Sequence, residues 1–104
     1  MNNTMKQLER IQHMESCLND AQAAVERMND ALDQFEAARA KLKELDTYLS
    51  SDDWKQDFAD DEAGRLPKDL QRGVLSEDAI WNTLDDSRQL LVRMLQTVAD
   101  RLTR

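Results

Sequence analysis

The sequence predicts an all-α protein: a long antiparallel, coiled-coil-like helical hairpin with a short third helix and an irregular loop at its tip. Three observations predict it. The helix breakers Gly64, Pro67 and Gly73 all fall within one ten-residue window, and the 63 residues before it and the 31 after it hold neither glycine nor proline. These two residue types are the strongest local punctuators of regular structure. Outside the window, apolar residues recur at alternating steps of three and four, the pattern of a coiled-coil seam. Strand formers are scarce, with aromatics at 5%, while Ala, Leu, Gln, Glu and Arg are abundant, and these favour helix.

A first helix is expected over about residues 4–49. Thr4 followed by Gln7 has the form of a capping box. The stripe then runs Leu8, Ile11, Met14, Leu18, Ala21, Val25, Met28, Leu32, Phe35, Ala38, Leu42, Leu45, Leu49. Arg39 stands where a strict repeat wants an apolar group, and Ala38 takes that role one position early. Asn19-Asp20 and Asn29-Asp30 are the weakest places, because Asn and Asp prefer caps and turns. A kink or break in this helix would fall there.

A second, short helix is expected over about residues 51–62. Leu49-Ser50-Ser51-Asp52-Asp53-Trp54 offers Ser50 as N-cap, Asp53 at the third position, and Leu49 with Trp54 as a hydrophobic staple. Asp52 and Asp53 suit the positive end of the helix dipole. Trp54 and Phe58 share a face at a spacing of four. Residues 63–75 then form an irregular loop, with Leu66 pushed toward extended geometry by Pro67. A third helix over about residues 76–103 opens on Leu75-Ser76-Glu77-Asp78-Ala79-Ile80, with Ser76 as N-cap, Glu77 and Asp78 facing the dipole, and Leu75 stapled to Ile80. Its stripe is Ile80, Leu84, Ser87, Leu91, Met94, Leu95, Val98 and Leu102, and Arg101 and Arg104 close it, as a helix C-terminus prefers. The whole reads as a single domain, 1–104.

At 1.5 Å per residue the first helix is ~70 Å long and the last ~40 Å. Folded back antiparallel, Leu45 meets Leu84, Leu42 meets Ser87, and Met28 meets Leu102. Nothing in the chain then covers Leu8, Ile11, Met14, Leu18, Ala21 and Val25. A stripe that long and regular is expected to pack against another copy of the chain, giving a homo-oligomer, most simply a dimer.

Charge narrows the function classes. The net charge is −7: −3 over residues 1–51, −7 over 52–86 and +3 over 87–104. No basic face able to displace counterions from phosphates is evident, so neither nucleic acid nor an anionic membrane is an expected partner. No apolar run is long enough to span a bilayer, and the N-terminal residues lack the apolar stretch of a Sec-type signal. The single Cys17 forms no internal disulfide and fits a reducing compartment. A cytoplasmic location is the expectation.

Candidate sites are few. His13 is the only histidine; it flanks the stripe and reads as a solvated residue. Cys17 adjoins Leu18 and reads as a small packing residue. Asp57, Asp60, Asp61 and Glu62 place carboxylates three and four apart, a donor set that suits magnesium or calcium, but without the spacing or glycine of an EF-hand loop. A solvated acidic face is the simpler reading. Neither a metal nor a cofactor is expected. Four of the five aromatics, Tyr48, Trp54, Phe58 and Trp81, lie between positions 48 and 81. With Leu66 and Leu70 they are expected to form the core of the hairpin tip. The competing reading is a partner-binding patch of Tyr48, Trp54, Phe58, Asp60, Asp61, Leu66 and Trp81, since exposed Trp and Tyr surrounded by charge are typical interface anchors.

The stretch from Asp53-Trp54 through Phe58-Ala59-Asp60-Asp61-Glu62, and then Gly64-Arg65-Leu66-Pro67-Lys68-Asp69-Leu70-Gln71-Arg72-Gly73-Val74-Leu75-Ser76-Glu77-Asp78-Ala79-Ile80-Trp81, resembles a family of short bacterial proteins known only as a domain of unknown function. Its members are similar in an opening helical segment of the Glu9-Arg10-Ile11-Gln12 type, a Leu-Pro-x-x-Leu-x-x-Gly-Val-Leu-Ser-Glu-Asp core and a closing helix. The resemblance covers nearly the whole chain and implies no activity, substrate or cofactor. The expected function is therefore a non-enzymatic, self-associating interaction or adaptor module with a protein partner. One alternative is a small enzyme or accessory subunit using a divalent metal on the 57–62 carboxylates. Another is a secreted helical hairpin, although such proteins usually carry a Trp-x-Gly turn and Trp54-Lys55-Gln56 lacks the glycine.

Overall fold

The computed structural model describes residues 2–76 and 78–103. Three helices follow one another: α1 (Asn2–Leu49), α2 (Asp52–Glu62) and α3 (Ala79–Leu102), with a 3-10 turn at Gly73–Leu75 between the last two. No strand occurs among the described residues, so the class is all-α. The chain divides into two compact units, Met1–Arg39 and Ala40–Arg104.

The first unit holds most of α1. The helix starts at Asn2, so Thr4 lies inside it and the expected Thr4–Gln7 capping box is not formed. It also runs unbroken through Asn19-Asp20 and Asn29-Asp30. Each Asn or Asp costs only ~0.5 kcal/mol against Ala in a helix, and the strong helix formers around both pairs outweigh that. Phe35 and Ala38 are half-buried, whereas the stripe from Met5 to Leu32 lies open.

The second unit is built around the breaker-rich loop. Ser51, not Ser50, caps α2. Its backbone is extended (φ −90°, ψ 160°) and its hydroxyl oxygen accepts from Trp54 N–H at 3.2 Å. Ser50 N–H instead continues α1 by donating to the Asp46 carbonyl at 3.3 Å. The cap therefore shifts by one residue, and Leu49 and Trp54 no longer hold the two staple positions. Asp52 and Asp53 do occupy the first turn.

Gly64 ends α2. It is the one residue with positive φ among those described (+72°), and glycine alone adopts that geometry freely. Gly64 N–H donates to the Asp61 carbonyl at 3.0 Å and Arg65 N–H to the Asp60 carbonyl at 2.9 Å. These two bonds make a Schellman motif, which satisfies carbonyls the helix leaves unpaired.

Helix α3 begins at Ala79, two residues later than Ser76 as N-cap would have set it, with Asp78 as a cap that makes no side-chain bond. Ser76 is occupied elsewhere: its N–H closes the 3-10 turn on the Gly73 carbonyl at 3.2 Å. Glu77 lies outside the described residues. The 3-10 turn packs against both α2 and α3. Leu75 on the turn and Ile80 on α3 are the two buried apolar residues, at 7% and 3% exposure. Leu42, Leu45, Leu84 and Ser87 are each half-buried. Met28 and Leu102 are not covered, being 65% and 81% exposed.

Candidate functional site

The tip residues are held by a set of directional bonds that start from α2. Trp54 and Phe58, one turn apart, stack with ring centroids 5.1 Å apart and an interplanar angle of 18°. Trp54 Nε1–H donates to the Val74 carbonyl at 2.8 Å, so the indole ties the 3-10 turn to α2. Tyr48 O–H donates to Asp57 Oδ2 at 2.6 Å, tying the end of α1 to α2. That bond, with partial burial and the nearby charges of Asp57 and Asp53, pushes the Tyr48 phenol up to about 12. Ionising it would place a phenolate against a carboxylate.

The acidic group is engaged rather than free. Asp60 accepts from Arg65 at 3.2 Å and from Gln56 at 3.1 Å. Asp61 pairs with Arg72. The same Arg72 guanidinium donates to the Pro67 carbonyl at 2.5 Å and to the Leu70 carbonyl at 3.4 Å, so one side chain ties α2 to two points of the loop. Asp57, Asp60 and Asp61 therefore do not stand as a solvated face waiting for a basic partner, and only Glu62 is exposed. No group of three His, Cys, Asp or Glu residues placed to hold a metal ion occurs among the described residues.

The patch expected at the tip is only partly assembled. Tyr48, Trp54, Phe58, Asp60, Asp61 and Leu66 are half-buried. Trp81 is 59% exposed and Leu70 46%, so neither belongs to a tip core. The reason for Trp81 is helical geometry: successive residues point about 100° apart, and Ile80 takes the inward direction. Leu70 sits at the end of a turn in which its N–H donates to the Pro67 carbonyl at 3.3 Å.

Along α1 the candidate seam is open. Leu8, Ile11, Met14, Leu18 and Val25 are 55%, 49%, 57%, 50% and 62% exposed, and Ala21 is exposed too. Met5, Met28 and Leu32 extend the stripe in both directions. The end of the α3 stripe, expected to be covered by α1, is open as well. Leu91, Leu95, Val98 and Leu102 are 52–81% exposed. Arg65 and Arg72 were missed as the partners of the acidic group. The signal was available for Arg65, which follows Gly64 and so falls opposite Asp60 in a Schellman motif. His13 and Cys17, four residues apart, lie 3.6 Å from each other on the exposed surface of α1; their spacing already put them on one face.

No helix among the described residues is long and apolar enough to cross a membrane. Compared with known families, residues 11–97 match the model described as a domain of unknown function, DUF4298. No curated protein and no solved structure matches the chain.

Proposed function

We propose, for a chain that belongs to the DUF4298 family of domains of unknown function, that it works as a self-associating, non-enzymatic helical interaction module. One observation carries this reading: the apolar stripe of α1 from Met5 to Leu32 has no cover, every large residue on it being at least 37% exposed. Soluble chains rarely leave so long an apolar surface in water, and such surfaces mark association sites. Two buried apolar residues among those described are also too little burial to offset the conformational entropy of ordering about a hundred residues. Burial of α1 against a second copy supplies the missing apolar contact.

The adaptor part of the proposal draws on Trp81. A tryptophan 59% exposed is the kind of residue that anchors a protein partner.

Sedimentation of the full chain tests self-association. The unmodified protein is expected to be a dimer at tens of micromolar. Leu18→Asp, which puts a charge into the apolar seam, is expected to shift it to monomer and, because the single chain buries so little, to lower its helix content. A monomeric unmodified chain at that concentration would refute the reading.

A further inference from the structure

We infer that the α1 seam closes as a parallel, in-register pair with a second copy of this chain, selected by an Arg10–Glu15 contact between the two copies. The inference rests on the self-association reading and adds its geometry. Between Ile11 and Phe35 the stripe is a continuous heptad. Ile11, Leu18, Val25 and Leu32 occupy one seam position (a), and Met14, Ala21, Met28 and Phe35 the other (d). This register fixes which residues flank the seam. On the flank preceding each a residue stand Asn3, Arg10, Cys17, Ala24 and Ala31 (position g), where the only charge is positive. On the flank following each d residue stand Leu8, Glu15, Gln22, Asn29 and Glu36 (position e), where the only charges are negative.

The two orientations use these flanks differently. A parallel pair sets each g residue against the e residue five positions on in the other chain. Arg10 then faces Glu15 of the partner subunit, and twofold symmetry makes the contact twice. An antiparallel pair sets g against g and e against e. With one flank only positive and the other only negative, no register of that arrangement forms an ion pair across the seam, and some bring like charges together. Arg10 and Glu15 are both exposed, and neither takes part in an ion pair among the described residues. They are available to a second copy.

Two experiments on the full-length chain test this. In the first, Met14→Cys and Met28→Cys are made separately in a Cys17→Ser background and oxidised. Parallel in-register pairing brings each position opposite itself, within disulfide reach, so both variants are expected to give covalent dimers. An antiparallel pair brings at most one position opposite itself. In the second, Arg10→Glu and Glu15→Arg each turn two attractions into two repulsions and are expected to weaken self-association roughly tenfold. Mixing the two variants is expected to give a heterodimer in preference to either homodimer, because both contacts become attractive again. Cross-linking at only one position, or a mixture with no heterodimer preference, overturns the parallel seam and leaves self-association standing. A monomeric unmodified chain overturns both.

Discussion

Tyr48 shows how one side chain reports on the tip. Its O–H donates to Asp57, and the phenol is pushed up to about 12 from an ordinary value of about 10. A group whose folded value is raised stabilises the fold fully below its unfolded value and loses that contribution as pH rises through the folded value. The window is therefore about pH 10 to 12. Tyr48→Phe is expected to lose ~1 kcal/mol at neutral pH, as for a partly exposed bond to a charged acceptor, and to lack the wild-type fall in stability across that window. Because the chain has one tyrosine, its phenolate absorbance follows this group alone. Trp54 combines a stack on Phe58 with a bond to Val74. Trp54→Ala is expected to cost ~2–3 kcal/mol in denaturant melts, less than the 3–5 kcal/mol of a fully buried aromatic because the indole is half-buried. A loss within ~0.5 kcal/mol would mean that the tip bonds do not hold the loop.

Among the elements, the end of α2 is the most tightly specified. The Schellman bonds of Gly64 and Arg65 turn the chain, and the Arg65–Asp60 ion pair stands where such motifs usually place an apolar contact. Arg72 then gathers the rest of the loop through Asp61, Pro67 and Leu70. The two glycines of this segment differ in what they supply. A Cβ at Gly64 would meet nothing within 4 Å, yet φ is +72°, so Gly64→Ala is expected to cost ~1 kcal/mol from backbone strain alone. Gly73 has neither a positive φ nor a close neighbour, and Gly73→Ala is expected to be neutral within ~0.5 kcal/mol. Thermal melts of the two variants side by side check this, and equal losses would contradict it.

For the molecule as a whole, the balance of buried and open apolar surface governs behaviour. The buried apolar pair Leu75 and Ile80 belongs to the loop and α3, while the stripes on α1 and at the end of α3 lie open. A chain stabilised mainly by association gains stability by mass action. Its melting temperature is therefore expected to rise with protein concentration, whereas that of Leu18→Asp stays flat. Melts across a hundredfold dilution series measure this directly, and a concentration-independent midpoint for the unmodified chain would count against association.

The sequence by itself determined the helical class, the order of the three helices and the place of the loop, because those follow from local rules. Where Gly64, Pro67 and Gly73 stand, a helix cannot continue, and where a three-four spacing of apolar residues runs on, it does. Leu75 and Ile80 stood out as an apolar pair near a helix entrance, but the staple expected of them rested on Ser76 as N-cap, and the cap lies at Asp78. Only the tertiary structure decided which serine caps α2, that Ser76 closes a 3-10 turn instead of opening α3, and that Trp81 faces outward while Ile80 faces in. It also decided that Asp60 and Asp61 are bound to Arg65 and Arg72. Those outcomes depend on competition between neighbouring donors and acceptors and, for Trp54 with Val74 and Asp61 with Arg72, on partners further along the chain. A serine hydroxyl, an indole N–H or a carboxylate has several acceptors or donors within reach, and the fold settles which one it meets.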